Sequence, residues 1–417
     1  MRIDWIQLVA GRNGESDFDR SGQAYLQNRW RFAGSRRVRN LAIAGNKNRK
    51  RDAEVRISTA VGKERTAGKG GAFLYRGAMS KNLESRRRNA AFLLLRCDST
   101  PRFPLLSILP KTLLDSKFRL LTSYSLDMRP VIFDTDIGTD VDDILALVLL
   151  GKAPELQLMG VTTVYGDTLL RARIAQVTCN LLQRKDIAVV PGESRTLTGR
   201  QIFWAGQEGY GIPGLDQVKI SESIGAVQYL VESAQHYGNA LEILATGPLT
   251  NIASAITKSP KVFSRIKHLY LMGGAFWMDR YEHNIRCDPE AAKIVFASGI
   301  PITAIGLDLT LRVRLDRKDV QRIGQIGGGL GPVLQDQILR WWELWQITEN
   351  HPHDPLAALA MVRSDLFIFE TWDVEIAAEG SREGLTRLVE NKESNIRVGF
   401  DVLARTAERE IVRRIVV

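Results

Sequence analysis

From position 131 onward, apolar residues come in short blocks that alternate in kind. VIF (131–133) is a β-rich run entered through Arg129-Pro130. DDILALVLL (142–150) carries acids in its first turn and apolar residues after it, as a helix N-terminus does. LQLMGVTTV (156–164) reads as a buried strand, 168–184 as a helix, and IAVVPG (187–192) as a strand. A loop rich in Gly and Trp follows, FWAGQEGYGIPG (203–214), and then a helix over 221–236. LEILATG (241–247), HLYLMGG (268–274) and ITAIGLDLT (302–310) read as strands. LTNIASAITK (249–258) and PEAAKIVFAS (289–298) read as helices. A long helix is expected over 332–349, with Trp341, Trp342 and Trp345 at near-helical spacing, and another over 353–362. The Trp cluster suits a core or a subunit interface better than a ligand box. Residues 371–379 and 385–401 read as edge strands or hairpins. Alternating β and α with glycine-ended strands predicts a mainly parallel, doubly wound, Rossmann-like α/β sheet. The 290 or so positions of 128–417 suffice for a single domain with a well-buried core.

Residues 1–127 follow no such pattern. They hold 26 Lys and Arg against 11 Asp and Glu, whereas 128–417 hold 31 against 36, so the net charge of +10 belongs to the first segment. Basic clusters recur there, as in SRRVRN (35–40), NKNRKR (46–51) and SRRRNA (85–90). AAFLLL (90–95) and LLSIL (105–109) are too short to span a bilayer. A basic arm for nucleic acid is one reading, unsupported by aromatic interleaving or zinc spacing. A transit peptide is poor in acid, which Glu15, Asp17 and Asp19 contradict. The favoured expectation is a basic, disordered extension that arises from a wrongly chosen upstream start, since MRPVIFDTD at Met128 looks like an ordinary entry into a first strand. No membrane or nucleic-acid partner is expected. Cys97, Cys179 and Cys287 form neither a disulfide framework nor a metal motif, which fits a reducing cytoplasm.

The chemistry concentrates in VIFDTDIGTDVDDILAL (131–147). Asp134, Asp136, Asp140, Asp142 and Asp143 crowd between a strand and a helix. Ionised carboxylates resist burial and repel one another, so such a cluster needs a cation or full solvation. In an open α/β sheet, ligands sit at the C-terminal ends of the strands. An all-oxygen site with a flexible Gly138 suits a hard cation, Ca²⁺ or Mg²⁺; the plainer reading is a solvated acidic turn that caps a helix. Further polar groups fall at strand ends: Thr246 after LEILA, Glu282 and Asn284 after Met272-Gly273-Gly274, and His353-Asp354 at a helix start. Each alone could be a turn residue, a cap or a surface imidazole, but all lie at one edge of the expected sheet.

Five segments in order, DTDIGTDVDDILAL, ATGPLTNIA (245–253), LYLMGGA (269–275), EHNIRCDPEAA (282–292) and HDPLA (353–357), resemble the signatures of the nucleoside hydrolase family, inosine–uridine-preferring type. The resemblance covers 128–417 and none of 1–127. It implies a homo-oligomeric (dimeric or tetrameric) enzyme that cleaves the N-glycosidic bond of ribonucleosides with a bound Ca²⁺. It implies Asp136 as general base and metal ligand. Asp143, the Thr246 carbonyl and Asp354 would complete the ligand set. Asp142, Met272, Glu282, Asn284 and Asp354 would hold ribose, and His353 would protonate the leaving base.

That chemistry is coherent on general grounds. C–N glycoside cleavage passes through an oxocarbenium-like state, one carboxylate can take a proton from water, and histidine titrates near neutrality, as a donor to a poor leaving group should. Departures from the family pattern fall mostly on the base side. The loop GTDVDD is longer than usual, so either Asp140 or Asp142 could meet the ribose. Asp167 stands where an Asn usually faces substrate, Gln207 replaces a frequent His, and His283 replaces an aromatic beside Asn284. Two other classes fit the sequence less well. A haloacid-dehalogenase-type phosphatase wants a small hydroxyl residue where Gly138 stands. A non-catalytic nucleoside- or ribose-binding protein, or a nucleic-acid-associated protein using the basic arm, would not need Asp136 and Asp143 together.

Overall fold

Strand β1 (Arg129–Thr135) is the axis of the molecule. Val131 and Phe133 turn to one face of the sheet and Ile132 to the other, the two-residue alternation of a strand buried on both sides. The structure is a computed structural model and describes residues 128–377 and 380–417. The extension read from the sequence over 1–127 lies outside the described residues.

From β1 the chain runs through α1 (Asp142–Lys152), β2 (Leu156–Thr163), α2 (Thr168–Leu181), β3 (Ala188–Pro191), α3 (Ala226–Tyr237) and β4 (Glu242–Ala245). It continues through α4 (Thr250–Lys258), α5 (Pro260–Phe263), β5 (His268–Met272), α6 (His283–Cys287), α7 (Pro289–Phe296), β6 (Ile302–Ile305) and α8 (Leu307–Thr310). Then come α9 (Arg317–Gly324), α10 (Leu330–Trp345), α11 (His353–Val362), β7 (Phe367–Thr371), β8 (Asp373–Ile376), β9 (Thr386–Val389), β10 (Ile396–Val402) and α12 (Ala404–Val416).

The main sheet has the order β3-β2-β1-β4-β5-β6-β10-β7, and β8 pairs with β9 in a separate hairpin. All neighbours in the main sheet are parallel except β7, antiparallel to β10. This is the expected doubly wound fold. Helices α1, α2 and α9 to α12 bury one face, and α3, α4 and α7 the other. The order reverses between β1 and β4, so a crevice opens at their C-terminal ends, the position at which such sheets bind ligands.

Three expectations need correction. ITAIGLDLT is not one strand: β6 stops at Ile305, and Leu307–Thr310 turns into a helix. The Asp308 carboxylate accepts from the backbone N–H groups of Phe276 (2.7 Å) and Trp277 (2.9 Å), which holds the chain in that turn. Residues 385–401 are not merely edge structure, because β10 is interior and pairs with β6 on one side and β7 on the other. Its exposed Phe400 imitates the half-solvated pattern of an edge. The helix expected from 221 begins at Ala226.

Candidate active site

The acidic loop leaves β1 at Thr135 and enters α1 at Asp142. Gly138 turns it with φ +113°, and a Cβ there would lie 2.6 Å from Ile174 Cδ1, so both conformation and space call for glycine. Gly247, after β4, lets the two strand ends approach: a Cβ there would stand 2.9 Å from the Asp136 nitrogen.

Asp142, Asp143 and Asp354 converge, with one carboxylate oxygen from each within 4.8 Å of the others, and all three are buried. Burial raises the pKa of all three. Asp143 is pushed up to about 7, first by desolvation and then by the Asp136 charge. Asp142 is raised by desolvation and then by Asp140 and Asp143, and Asp354 by desolvation and then by Asp142 and Asp143. The charge of the buried Asp136 adds to the repulsion on each. Without a counter-charge, four buried carboxylates are poorly tolerated.

The surrounding donors hold the cluster in place. The Thr135 hydroxyl donates to Asp143 Oδ1, and the Thr246 hydroxyl does so at 3.0 Å. The Asp354 backbone N–H donates to Asp142 Oδ2 at 3.2 Å, joining α11 to α1. The Thr246 carbonyl accepts from Asn284 Nδ2 (2.6 Å), which also reaches the Met272 carbonyl at 3.2 Å. Glu282 caps α6, accepting from the backbone N–H groups of Asn284 (2.9 Å), Ile285 (3.0 Å) and Gly274 (3.1 Å), while burial raises its pKa. His353 is half-buried, its Nδ1 2.7 Å from the Thr310 hydroxyl. Thr246, Met272, Glu282, Asn284, His353 and Asp354 thus gather around the crevice with the acidic loop. Asp167 differs: it is exposed, and its carboxylate caps α2 by accepting from the Leu170 N–H at 2.9 Å.

Arg171, which the sequence does not single out, and Asp134, the first of the crowded aspartates, support this arrangement. Arg171, fully buried on α2, donates to the main-chain carbonyls of Asp136 and Ile137 (3.0 Å), to the Tyr165 carbonyl (2.7 Å) and to the Thr139 hydroxyl (3.0 Å). Nothing in LLRARIAQ distinguishes it from a solvated arginine, so only its fully buried position reveals it. Asp134, also buried, accepts through Oδ1 from the Thr162 hydroxyl (2.5 Å) and Asn251 Nδ2 (2.7 Å). Its main-chain carbonyl accepts from the Thr246 N–H at 2.8 Å, so it ties β1 to β2, α4 and the end of β4. Desolvation pushes its pKa up to about 7.

The Gly-rich loop after β3 closes over the acidic loop. Gln207 Nε2 donates to the Thr139 carbonyl at 2.7 Å, and Glu208 accepts from the Thr139 hydroxyl at 3.2 Å. Trp204 lies over the Arg171 guanidinium at 5.0 Å.

Clustered carboxylates thus line a crevice at the switch point of the doubly wound sheet. The family described as inosine-uridine preferring nucleoside hydrolase matches residues 131–409, and the chain belongs to that family of enzymes. It is 32% identical over 275 residues to uridine nucleosidase 1 of Arabidopsis thaliana, covering 61% of this chain and 80% of that protein. It is 32% identical over 277 residues to the pyrimidine-specific ribonucleoside hydrolase RihA of Salmonella arizonae, covering 62% of this chain and 87% of that protein. A purine-preferring ribonucleoside hydrolase from Gardnerella vaginalis superposes with a TM-score of 0.61 at 30% identity, over 69% of this chain and 98% of that one. Among the described residues no helix is long and apolar enough to cross a membrane.

Proposed function

We propose that the chain hydrolyses the N-glycosidic bond of ribonucleosides to free base and ribose, and that its resident cation is Ca²⁺. The observation that carries this reading is the convergence of Asp142, Asp143 and Asp354 beside Asp136 at the β1/β4 switch point. The donor set fits the ion: it is all oxygen, with no His or Cys in the cluster, as a hard cation requires. Asp136, Asp143, Asp354 and the Thr246 carbonyl would hold it. Asp142, whose carboxylate converges with those of Asp143 and Asp354, would bind the ribose hydroxyls. When bound, Ca²⁺ orients the sugar hydroxyls and lowers the pKa of a bound water.

The chain's own residues do the rest. Asp136 accepts the proton of the attacking water. The carboxylates around it favour the positive charge that develops on the sugar. Glu282, Asn284 and Met272 would line the ribose side, with Asp167 assigned to the substrate by the family resemblance alone. His353, fixed through Nδ1 by Thr310, gives a proton to the departing base. The test is reducing-sugar release from a panel of purine and pyrimidine ribonucleosides. Release from at least one supports the reading; tight binding of nucleosides without release from any would make the protein a binder instead.

A further inference from the structure

Next to Asn284 lies a second group of reactive side chains, to which the proposed hydrolysis assigns no chemical step. Cys287 closes α6, four residues after His283, so the two share one face of the helical turn. Its sulfur lies 3.5 Å from His283 Nε2. The imidazole packs edge-on against Phe203, with centroids 5.7 Å apart, and against Tyr165 at 6.4 Å. The Tyr165 hydroxyl in turn accepts from the Phe203 backbone N–H at 2.8 Å.

A partly exposed thiol in contact with an imidazole is the arrangement that yields a nucleophilic thiolate. Cys179 is the internal contrast: it is fully buried in the core, and burial pushes its thiol up to about 12. We propose that Cys287 is a modification site for small peroxide-class electrophiles, activated by His283, and that its oxidation unseats the Gly-rich loop from the crevice. In this step the Cys287 thiolate attacks one peroxide oxygen and the O–O bond breaks. Sulfur is oxidised to the sulfenic acid, and the leaving hydroxide takes the proton held on His283 to become water. The added oxygen must fit between Cys287, His283 and Tyr165, the ring whose hydroxyl anchors Phe203 at the start of that loop. A dithiol reductant restores the thiol. The effect on hydrolysis rests on the function proposed above; the chemistry at sulfur does not.

The experiment treats the full chain with hydrogen peroxide and traps sulfenic acid with dimedone. Adducts are located by peptide mass spectrometry, and nucleoside hydrolysis is followed in parallel. The expected result is labelling of Cys287 at least tenfold faster than Cys179. His283→Phe, which keeps a ring in the same seat, should slow it by a similar factor. Hydrolysis should fall reversibly in the wild type and be insensitive to peroxide in Cys287→Ala. Equal labelling of the two cysteines, or unchanged labelling in His283→Phe, overturns the site. Labelling of Cys287 without loss of hydrolysis overturns the coupling to the loop. If the untreated protein hydrolyses no nucleoside, the proposed function fails while the labelling comparison still decides the site.

Discussion

The Arg171 guanidinium donates to the main-chain carbonyl of Asp136, so a fully buried cation braces the backbone of the acidic loop from beneath. Hydrogen bonds from a charged donor contribute about 1.5–3 kcal/mol each, and leaving buried carbonyls unpaired adds to the loss. Arg171→Gln is expected to lower stability by about 2–4 kcal/mol, read from the urea midpoint, and to reduce kcat/KM through a displaced loop. Arg171→Lys keeps the charge but not the planar fork, and is expected to recover less than half of either loss. Wild-type stability in Arg171→Gln would refute the bracing role.

Asp136→Ala should be more damaging than His353→Ala. Asp136 is assigned both the water proton and a place on the cation, whereas His353 acts on the leaving group alone. General-acid help is typically worth roughly 10²–10⁴-fold. A nitrophenyl riboside leaves without a proton, so the His353→Ala defect should shrink on that substrate while the Asp136→Ala defect persists. Equal loss factors on both substrates would reassign His353 to positioning ribose or Asp354.

Elemental analysis of protein prepared without chelator should give about one Ca per chain. Because an ion that binds only the folded state stabilises by mass action, chelation should lower Tm and added Ca²⁺ restore it. Asp354→Asn should weaken that response. Zinc in place of calcium, or full activity after exhaustive chelation, would overturn the assignment.

Residues 1–127 are expected to be dispensable for catalysis. The family match begins at residue 131, and the described residues bury two extensive apolar clusters of their own. Comparison of 1–417 with 128–417 should show kcat/KM and Tm little changed. A large loss on truncation would refute this, and salt-sensitive DNA binding confined to the long form would favour the basic-arm reading.

At the opposite end of β5, burial and then the charge of Arg397 lower the pKa of His268 from 6.5 to about 4. Its Nε2 lies 2.8 Å from the Thr303 hydroxyl. Between pH 6.5 and 4 the unfolded chain takes up a proton that the folded chain refuses. Stability is therefore lost as pH falls through that window, by at most about 1.4 kcal/mol per pH unit for one proton. Buried carboxylates with raised pKa act in the opposite direction, so the readout is the difference between wild type and His268→Gln. The variant should lose less stability across the window; parallel curves would refute the claim.

The strand, acidic loop and helix of 131–150 were legible because one run joins a β-rich triplet, crowded carboxylates and an apolar helix, a combination that admits few readings. Thr246 and Asn284 were legible from their place after strands, Asp143 and Asp354 from theirs at helix starts, and all four from the family resemblance. β10 was misread because a strand that pairs by a long crossover leaves no local mark of its neighbours. α12 drew no reading, although Ala407, Ile411, Val412 and Ile415 form its buried stripe. Arg171 was invisible because a buried arginine and a solvated one look alike in sequence. The capping role of Asp167 was equally hidden, since a carboxylate before a helix can serve either a backbone N–H or a ligand.

The hydrogen bond from the Asp354 backbone N–H to the Asp142 carboxylate joins positions 212 residues apart. During synthesis at about 5–20 residues per second, the acidic loop waits roughly 10–40 s before α11 exists to meet it. Contacts of such separation form slowly, because the entropy of closing the chain is lost before they contribute. On the ligand set proposed above, a nascent chain would carry its aspartates as a loose turn, and the site would be complete only when the C-terminal helices dock. Retention of the ion through gel filtration would then separate fully folded molecules from those stalled before that last step.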